Sequence, residues 1–301
     1  MMQKRLKWLS IIILIALLIV VGFEYYLRSI PNDYKTKANY LKENGSEIET
    51  LVLGSSHTFY GVNPNLLPNA YNLAHSSKSY DLDWKILETY QDYLPNLKTI
   101  ILSSSYFSYV HTVGNSTQKQ LLKNYSLYYK IPIENGALNL YSELFSLPLN
   151  ENLARVKKSF KNLNYLITID NKGFIEKRKS VNVKVYESPE TVKKHTQKLD
   201  SLQLSENING LKNIITFAKR KQIKIILITT PVAPNYYKNM NDLQFEHWQK
   251  TTKDLIKNDS NIIWIDLFQA KNFNQNDFVD SDHLSLQGAN KVTKEIKKYI
   301  E

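Results

Sequence analysis

Five short apolar runs, separated by stretches of helical spacing, constrain this chain more than anything else in it. They are Thr50 to Leu53, Asn69 to Ala74, Leu97 to Ser103, Ile223 to Thr229 and Ile262 to Ile265. Apart from the second, which carries Asn69 and Asn72, each has a core apolar on successive residues, which suits strands buried on both faces rather than strands with one wet side. Asp81 to Leu94, Ser205 to Gln222, Phe245 to Lys257 and Leu286 to Ile300 show helical spacing, and Ser285 is placed to cap the last of these. Strand and helix in alternation predict an α/β fold: a three-layer sandwich around a mainly parallel sheet, with helices on both faces.

The N-terminus reads differently. Trp8 to Phe23 is apolar except for Ser10, and Lys4, Arg5 and Lys7 precede it. Sixteen helical residues span about 24 Å, short of a ~30 Å hydrocarbon layer. Trp8 on one side and Tyr25 and Tyr26 on the other extend the span as interfacial anchors. The rival reading is a cleaved secretory signal, but no small-x-small site follows the run. We read residues 1–26 as a signal anchor with a transmembrane helix at about 8–26. Cations ahead of the run leave the N-terminus cytoplasmic and the rest extracytoplasmic.

Residues 27–47 are expected to form a polar, helical stalk, and residues 48–301 one α/β domain. The stretch from about 107 to 200 breaks the alternation and is rich in Tyr, Asn, Ser and Lys. It is read as an insertion over the C-terminal edge of the sheet, where open α/β sheets bind ligands. It includes a possible hairpin, 163–169 and 174–178, around Asp170 to Gly173.

The formal charge is +11, dispersed in short clusters such as Lys177-Arg178-Lys179 and Lys219-Arg220-Lys221. It fits a lysine-rich surface or an acidic envelope polymer, and nucleic acid is not expected as a partner. The sequence has no cysteine, which excludes thiol catalysis and cysteine metal sites. No spacing of His, Asp and Glu makes a persuasive metal site, and no cofactor is expected.

Near the C-terminus the chain reads Asp280-Ser281-Asp282-His283-Leu284-Ser285. A carboxylate three residues before a histidine can orient that imidazole as a general base. Far upstream, Leu53-Gly54-Ser55-Ser56-His57 ends the first strand in a turn suited to an exposed serine. Asp282 competes with Asp280 for the acid role, but neighbouring side chains on a turn diverge, which favours Asp280. His57 is expected to point away from Ser56, capping the turn or lining the rim. His111, His195 and His247 carry no motif and are expected to be structural or exposed.

The Gly-x-Ser turn after the first strand and the Asp-x-x-His before the final helix resemble the SGNH (GDSL-type) hydrolase superfamily. With the N-terminal anchor, the Gly-Ser-Ser-His form and the Asp-x-x-His-Leu-Ser-x-x-Gly ending are similar to its membrane-anchored, DltD-like branch, which works on envelope polysaccharides. The resemblance covers about residues 48–106 and 203–300. It implies an SGNH-like, flavodoxin-like sheet and a triad of nucleophile Ser56, base His283 and acid Asp280. Family members place a glycine N–H and an asparagine in the oxyanion hole. Here Ser77 stands where glycine is expected, and Ser103-Ser104-Ser105-Tyr106 replaces Gly-x-Asn. Gly54, Ser77, Ser104, Ser105, Tyr106 and His75 are therefore the oxyanion or substrate candidates. The resemblance implies a serine esterase or O-acyltransferase acting on acyl esters, O-acetyl above all, of an envelope glycan. A single anchor cannot carry an acyl donor across a bilayer, so transfer implies a multi-spanning membrane O-acyltransferase as partner. The alternative is an inactive SGNH-like protein that binds glycan or scaffolds its assembly.

Overall fold

The computed structural model describes residues 2–134, 136–175, 188–196, 201–257 and 259–300. In chain order the elements are α1 (Met2–Ser29), α2 (Asp33–Asn44), β1 (Thr50–Val52), α3 (Ser56–Gly61), β2 (Ala70–Asn72), α4 (Tyr80–Tyr90) and β3 (Thr99–Ser103). They continue with α5 (Leu122–Tyr128), α6 (Leu149–Lys161), α7 (Ser188–His195), α8 (Ser201–Lys221) and β4 (Lys224–Thr229). The last are α9 (Pro234–Tyr237), α10 (Asp242–Lys257), β5 (Ile262–Asp266) and α11 (Leu286–Lys297). The cluster Lys177-Arg178-Lys179 and the end of the expected hairpin lie outside the described residues.

The chain forms two compact units. One comprises Met1–Thr36 with Gln120–Ile167, and the other Lys37–Lys119 with Thr168–Glu301. The stretch expected as a single insertion is thus shared out: 120–167 joins the N-terminal helices, while 107–119 and the residues after 167 belong with the sheet.

The sheet-bearing unit holds five strands in the order β2-β1-β3-β4-β5, every neighbouring pair parallel. This is the α/β architecture that the apolar strands call for. Val52, Ile101, Ile226, Ile228 and Ile265 face one side, where they pack with Val62, Leu284, Val292 and Ile296. That side is closed by α3 and α11, which touch each other. The alternate residues Leu51, Ile100, Leu102, Ile225 and Leu227 are also buried, so the opposite face is covered as well. α11 starts where Ser285 caps it, its side chain accepting from Gly288 N–H at 3.3 Å. Ala289, Val292 and Ile296 are buried, whereas Leu286 in the first turn is exposed.

In this order the chain reverses direction across the sheet between β1 and β3. Their C-terminal ends open the crevice in which doubly wound sheets bind ligands. The turns Gly54-Ser55-Ser56 and Ser103-Ser104-Ser105 both leave the sheet there.

Residues 27–47 are helical as expected, but they do not form a free polar stalk. Leu27, Ile30, Lys37, Ala38 and Leu41 are buried, and the Lys37 ammonium donates to the Ala74 carbonyl at 2.6 Å. Among the described residues the hairpin is one antiparallel bridge, Ile169 with Ile175, closed by Asp170 N–H donating to Phe174 O at 2.8 Å.

The other unit carries α1, whose most apolar stretch has a mean hydropathy of 2.7 and none of it buried. At 28 residues the helix is about 42 Å long and exceeds the hydrocarbon thickness of a bilayer. The helix continues past the apolar run that defines it in sequence, and so it is long and apolar enough to cross a membrane.

Candidate active site

The turn after β1 is built around Gly54. Its φ is +106°, and a side chain there would run into the hydroxyls of Ser103 and Thr58. Glycine supplies this backbone shape without a clash. The Gly54 N–H donates to Asp83 Oδ1 at 3.1 Å, and the Ser55 N–H donates to Ser103 Oγ at 3.2 Å. Thr58 Oγ1 donates to Leu53 O at 2.7 Å. The turn is therefore tied to α4, to β3 and to its own helix, and it sets Ser56 as the first residue of α3.

Asp83 is also half of a fully buried ion pair, with Lys78 Nζ 2.6 Å from its Oδ1. The same ammonium donates to Leu73 O at 2.8 Å. Burial draws both partners toward their neutral forms, lowering Lys78 and raising Asp83, against the attraction between them. The pair joins the Ser56 turn to the loop after β2, so the two move as one piece.

That loop carries Ser77 at φ +59°, in the left-handed region that favours glycine. Serine here takes a backbone shape that glycine adopts more readily. His111 Nε2–H donates to the Ser77 carbonyl at 3.0 Å and holds the loop in place. Burial lowers the His111 pKa, favouring the neutral ring that this bond uses.

At the far end of the chain Asp280 folds back on its own turn. Its Oδ1 accepts from the backbone N–H groups of Asp282 at 3.0 Å and His283 at 2.8 Å. Its Oδ2 meets His283 Nδ1 at 2.8 Å. The His283 ring packs on Tyr60 of α3, centroids 4.8 Å apart. Tyr60 lies four residues after Ser56, on the same face of that helix. Among the described residues no hydrogen bond joins Ser56 to His283.

Asp282 turns inward and is buried. Its Oδ2 lies 3.3 Å from His57 Nε2, 3.8 Å from His283 Nε2 and 3.9 Å from His195 Nδ1. Burial opposes its ionisation, but the imidazoles of His283, His57 and His195 outweigh that and hold its pKa well below the usual carboxylate range. The two aspartates do diverge, yet both reach His283, one at each ring nitrogen. Asp280, Asp282 and His283 bring possible metal donors within 4.8 Å of one another. The Asp280 oxygens are already committed to His283 and to two backbone N–H groups, so the set reads as an ion-pair network.

His57 neither caps the turn nor lines a rim. It is buried, with Nδ1 2.8 Å from Ser105 Oγ and 3.3 Å from Thr230 Oγ1. As the second residue of α3 it faces the ends of β3 and β4, where those hydroxyls lie. His195 was also expected outside the chemistry. Its Nδ1 is 2.7 Å from the Tyr236 hydroxyl, and burial pushes its pKa down to about 4.

A cavity of about 340 Å³ opens at this edge of the sheet, and Ser56, Ser77, Phe107, His111 and His195 line it. The other oxyanion candidates lie elsewhere. Gly54 N–H is spent on Asp83. Ser104 Oγ accepts from Trp248 Nε1 at 3.0 Å and sits 3.1 Å from Thr252 Oγ1, within a buried network. The Ser105 hydroxyl faces His57, and the Tyr106 hydroxyl lies between Thr196 Oγ1 at 2.8 Å and Asn241 N–H at 3.0 Å. His75 is buried, and burial followed by the charges of Lys37 and Lys78 depresses its pKa well below the usual value. Of the six candidates, only Ser77 shares the cavity with Ser56. His111 and His195 line it too, and no local motif marks either one. They reach it from the loop after β3 and from α7, a placement visible only in the fold.

The fold and this site define an extracore arrangement common to doubly wound α/β proteins, with the polar groups gathered at the switch between β1 and β3. Residues 7–299 match the family described as "Protein of unknown function (DUF1574)", and the chain belongs to that family. Among curated proteins, none matches the chain. A structure from Streptococcus pneumonia, provisionally described as a platelet activating factor, is similar at 13% identity. The match covers 97% of this chain and 99% of that one, with a TM-score of 0.43. A Bacteroides fragilis structure, provisionally described as an acylhydrolase, is similar at 11% identity. It covers 93% and 96% of the two chains, with a TM-score of 0.37.

Proposed function

We propose that the protein is a membrane-anchored serine esterase or acyltransferase of the SGNH type, with Ser56 as nucleophile, His283 as base and Asp280 as the acid. The observation that carries this reading is the 2.8 Å pair of Asp280 Oδ2 with His283 Nδ1, set against the helix that Ser56 begins. A serine hydroxyl is a weak nucleophile until a base takes its proton. With Nδ1 engaged by Asp280, His283 has Nε2 for that task, and two carboxylates stabilise the imidazolium that forms. Attack by Ser56 on an ester carbonyl expels the alcohol, which takes its proton from His283. Water or a sugar hydroxyl then attacks the acyl-serine and releases the acid or the new ester. The Ser77 N–H is our candidate oxyanion donor, since Ser77 and Ser56 line the same cavity.

The substrate we assign is an acyl ester, O-acetyl above all, of an envelope polysaccharide, with the domain extracytoplasmic and a multi-spanning O-acyltransferase as its partner. The cations ahead of α1 and the net charge of +11 support that placement. A second reading, a silent SGNH-like scaffold, is favoured by the engagement of the Ser104 and Tyr106 hydroxyls away from the cavity. Labelling of the full chain with an active-site-directed phosphonate decides between them. Labelling that is lost in Ser56→Ala and His283→Ala supports chemistry. No labelling, or equal labelling of wild type and Ser56→Ala, overturns the assignment.

A further inference from the structure

The helix α6 is built inside out. Its buried positions are polar: Asn152 is fully buried and Ser159 nearly so. The Asn152 amide donates to the carbonyls of Leu144 at 2.8 Å and Leu147 at 3.1 Å. Arg155 reaches inward to buried Glu143 at 2.8 Å. The apolar positions point out, with Leu149 61%, Leu153 54% and Phe160 78% exposed. These three recur at the spacing of a single helical face. A helix in contact with water places its residues the other way round.

The stripe does not stand alone. Leu138 and Phe145, in the segment leading to α6, are 65% and 54% exposed. In the sheet-bearing unit, by contrast, the large apolar residues exposed among those described are Tyr93, Leu243, Leu286 and Tyr299, far apart in sequence except for the pair in the C-terminal helical segment. A contiguous exposed apolar patch marks a site of interaction, whereas single exposed residues do not.

What covers the patch follows from where it is fastened. Phe160 stacks on Tyr26, centroids 5.9 Å apart, and the Tyr26 hydroxyl lies 2.9 Å from Ser159 Oγ. The Glu24 carboxylate accepts from the backbone N–H groups of Glu143 at 3.0 Å and Leu144 at 2.7 Å, and from Ser142 Oγ at 2.8 Å. Both attachments are made at Glu24 and Tyr26, directly after the apolar run of α1 ends. Tyrosines at that position sit at the membrane–water boundary. α6 is thus held at the level where α1 leaves the hydrocarbon. Lys157, Lys158 and Lys161 on α6 are exposed, as on helices that lie on anionic lipid.

We propose that α6 lies in the plane of the membrane interface, its Leu149–Leu153–Phe160 face in lipid, as a second membrane contact continuous with α1. The proposal rests on the reading of α1 as a membrane span. The protein then has a transmembrane rod with an interfacial foot clamped to its end, which fixes the tilt of that unit at the bilayer surface.

Because the chain has no cysteine, single-cysteine variants report one site each. Full-length Leu14→Cys, Leu153→Cys, Phe160→Cys and Lys212→Cys, each carrying an environment-sensitive fluorophore, would be reconstituted into phosphatidylcholine–phosphatidylglycerol vesicles containing nitroxide lipids. We expect Leu153→Cys and Phe160→Cys to lose most of their emission to nitroxides near the headgroups. Leu14→Cys should lose it to nitroxides deep in the acyl chains, and Lys212→Cys to neither. Labels at 153 and 160 that stay water-exposed while the label at 14 is quenched overturn the proposal and leave the anchor standing. Labels at 153 and 160 that are shielded but unquenched point to a protein surface over the stripe, and also overturn it. If the label at 14 is unquenched, the anchor reading fails and the proposal falls with it.

Discussion

Nε2 of His57 and Oδ2 of Asp282 lie 3.3 Å apart although 225 positions separate the two residues in sequence. This contact makes Asp282 the anionic centre of the site, with His195 and His283 completing the ring of imidazoles around it. Asp282→Asn removes a buried charge that three rings share. We expect it to cost about 1–3 kcal/mol in stability, as leaving buried hydrogen-bonding groups without their acceptor does. Asp280→Asn should cost much less stability, because the Asp280 side chain is 40% exposed. It should instead slow phosphonate labelling of Ser56 by about a hundredfold or more, through loss of the His283 tautomer and orientation. Urea midpoints and labelling rates, measured on both variants, separate the two roles.

Acid should unfold the sheet-bearing unit in two stages. His195 titrates near 4 in the folded protein against an ordinary value near 6.5. Between those values the unfolded chain binds the extra proton, so stability falls as pH drops from 6.5 to 4, by up to about 3 kcal/mol. Asp282 has its pKa depressed by folding, so its contribution is complete above the ordinary carboxylate range and is lost as pH falls below about 4. Thermal midpoints across pH 3–8 should show both slopes. His195→Asn should flatten the upper one and leave the lower in place.

Two positions with left-handed backbone should respond in opposite ways. Ser77→Gly relieves a positive-φ serine while retaining its N–H, so we expect it to be neutral or stabilising by about 1 kcal/mol, with labelling preserved. Gly54→Ala drives a methyl group into Ser103 and Thr58, and should destabilise by about 2 kcal/mol or more and abolish labelling. Equal effects in both variants would contradict the assignment of Ser77 as the oxyanion donor loop.

Lys78→Met leaves Asp83 ionisable, buried and without its cation. We expect a loss of about 3–5 kcal/mol. Adding Asp83→Leu to Lys78→Met should restore part of the stability, because no lone charge then remains. Labelling should stay low in the double variant, since Gly54 N–H has lost its acceptor. Denaturant melts of the two variants, each paired with a labelling assay, test the coupling.

The sheet was legible because its strands are short, continuous apolar runs with no competing period. All five appear within a few residues of their expected places. Asp280 to His283 was also readable, because an aspartate three residues before its histidine on a turn has few other ways to fold. His57, His111 and His195 were not readable. Their roles depend on which side chains the crossovers bring to the end of the sheet, and no local pattern encodes that. The Ser104 and Tyr106 hydroxyls were no more readable, because partners from α10 and its approach, far along the chain, claim them. The polar look of residues 27–47 concealed buried Ala38 and Leu41, and Lys37 is buried because it finds a carbonyl to bond.

The distance in sequence between the turn after β1 and Asp280 to His283 also fixes an order in time. A chain made from its N-terminus exposes Ser56 early, while the residues that would activate it are still to be synthesised. At about 5–20 residues per second, the 225 positions from His57 to Asp282 take roughly 10–45 s. On the triad proposed above, Ser56 would meet its base only after that interval.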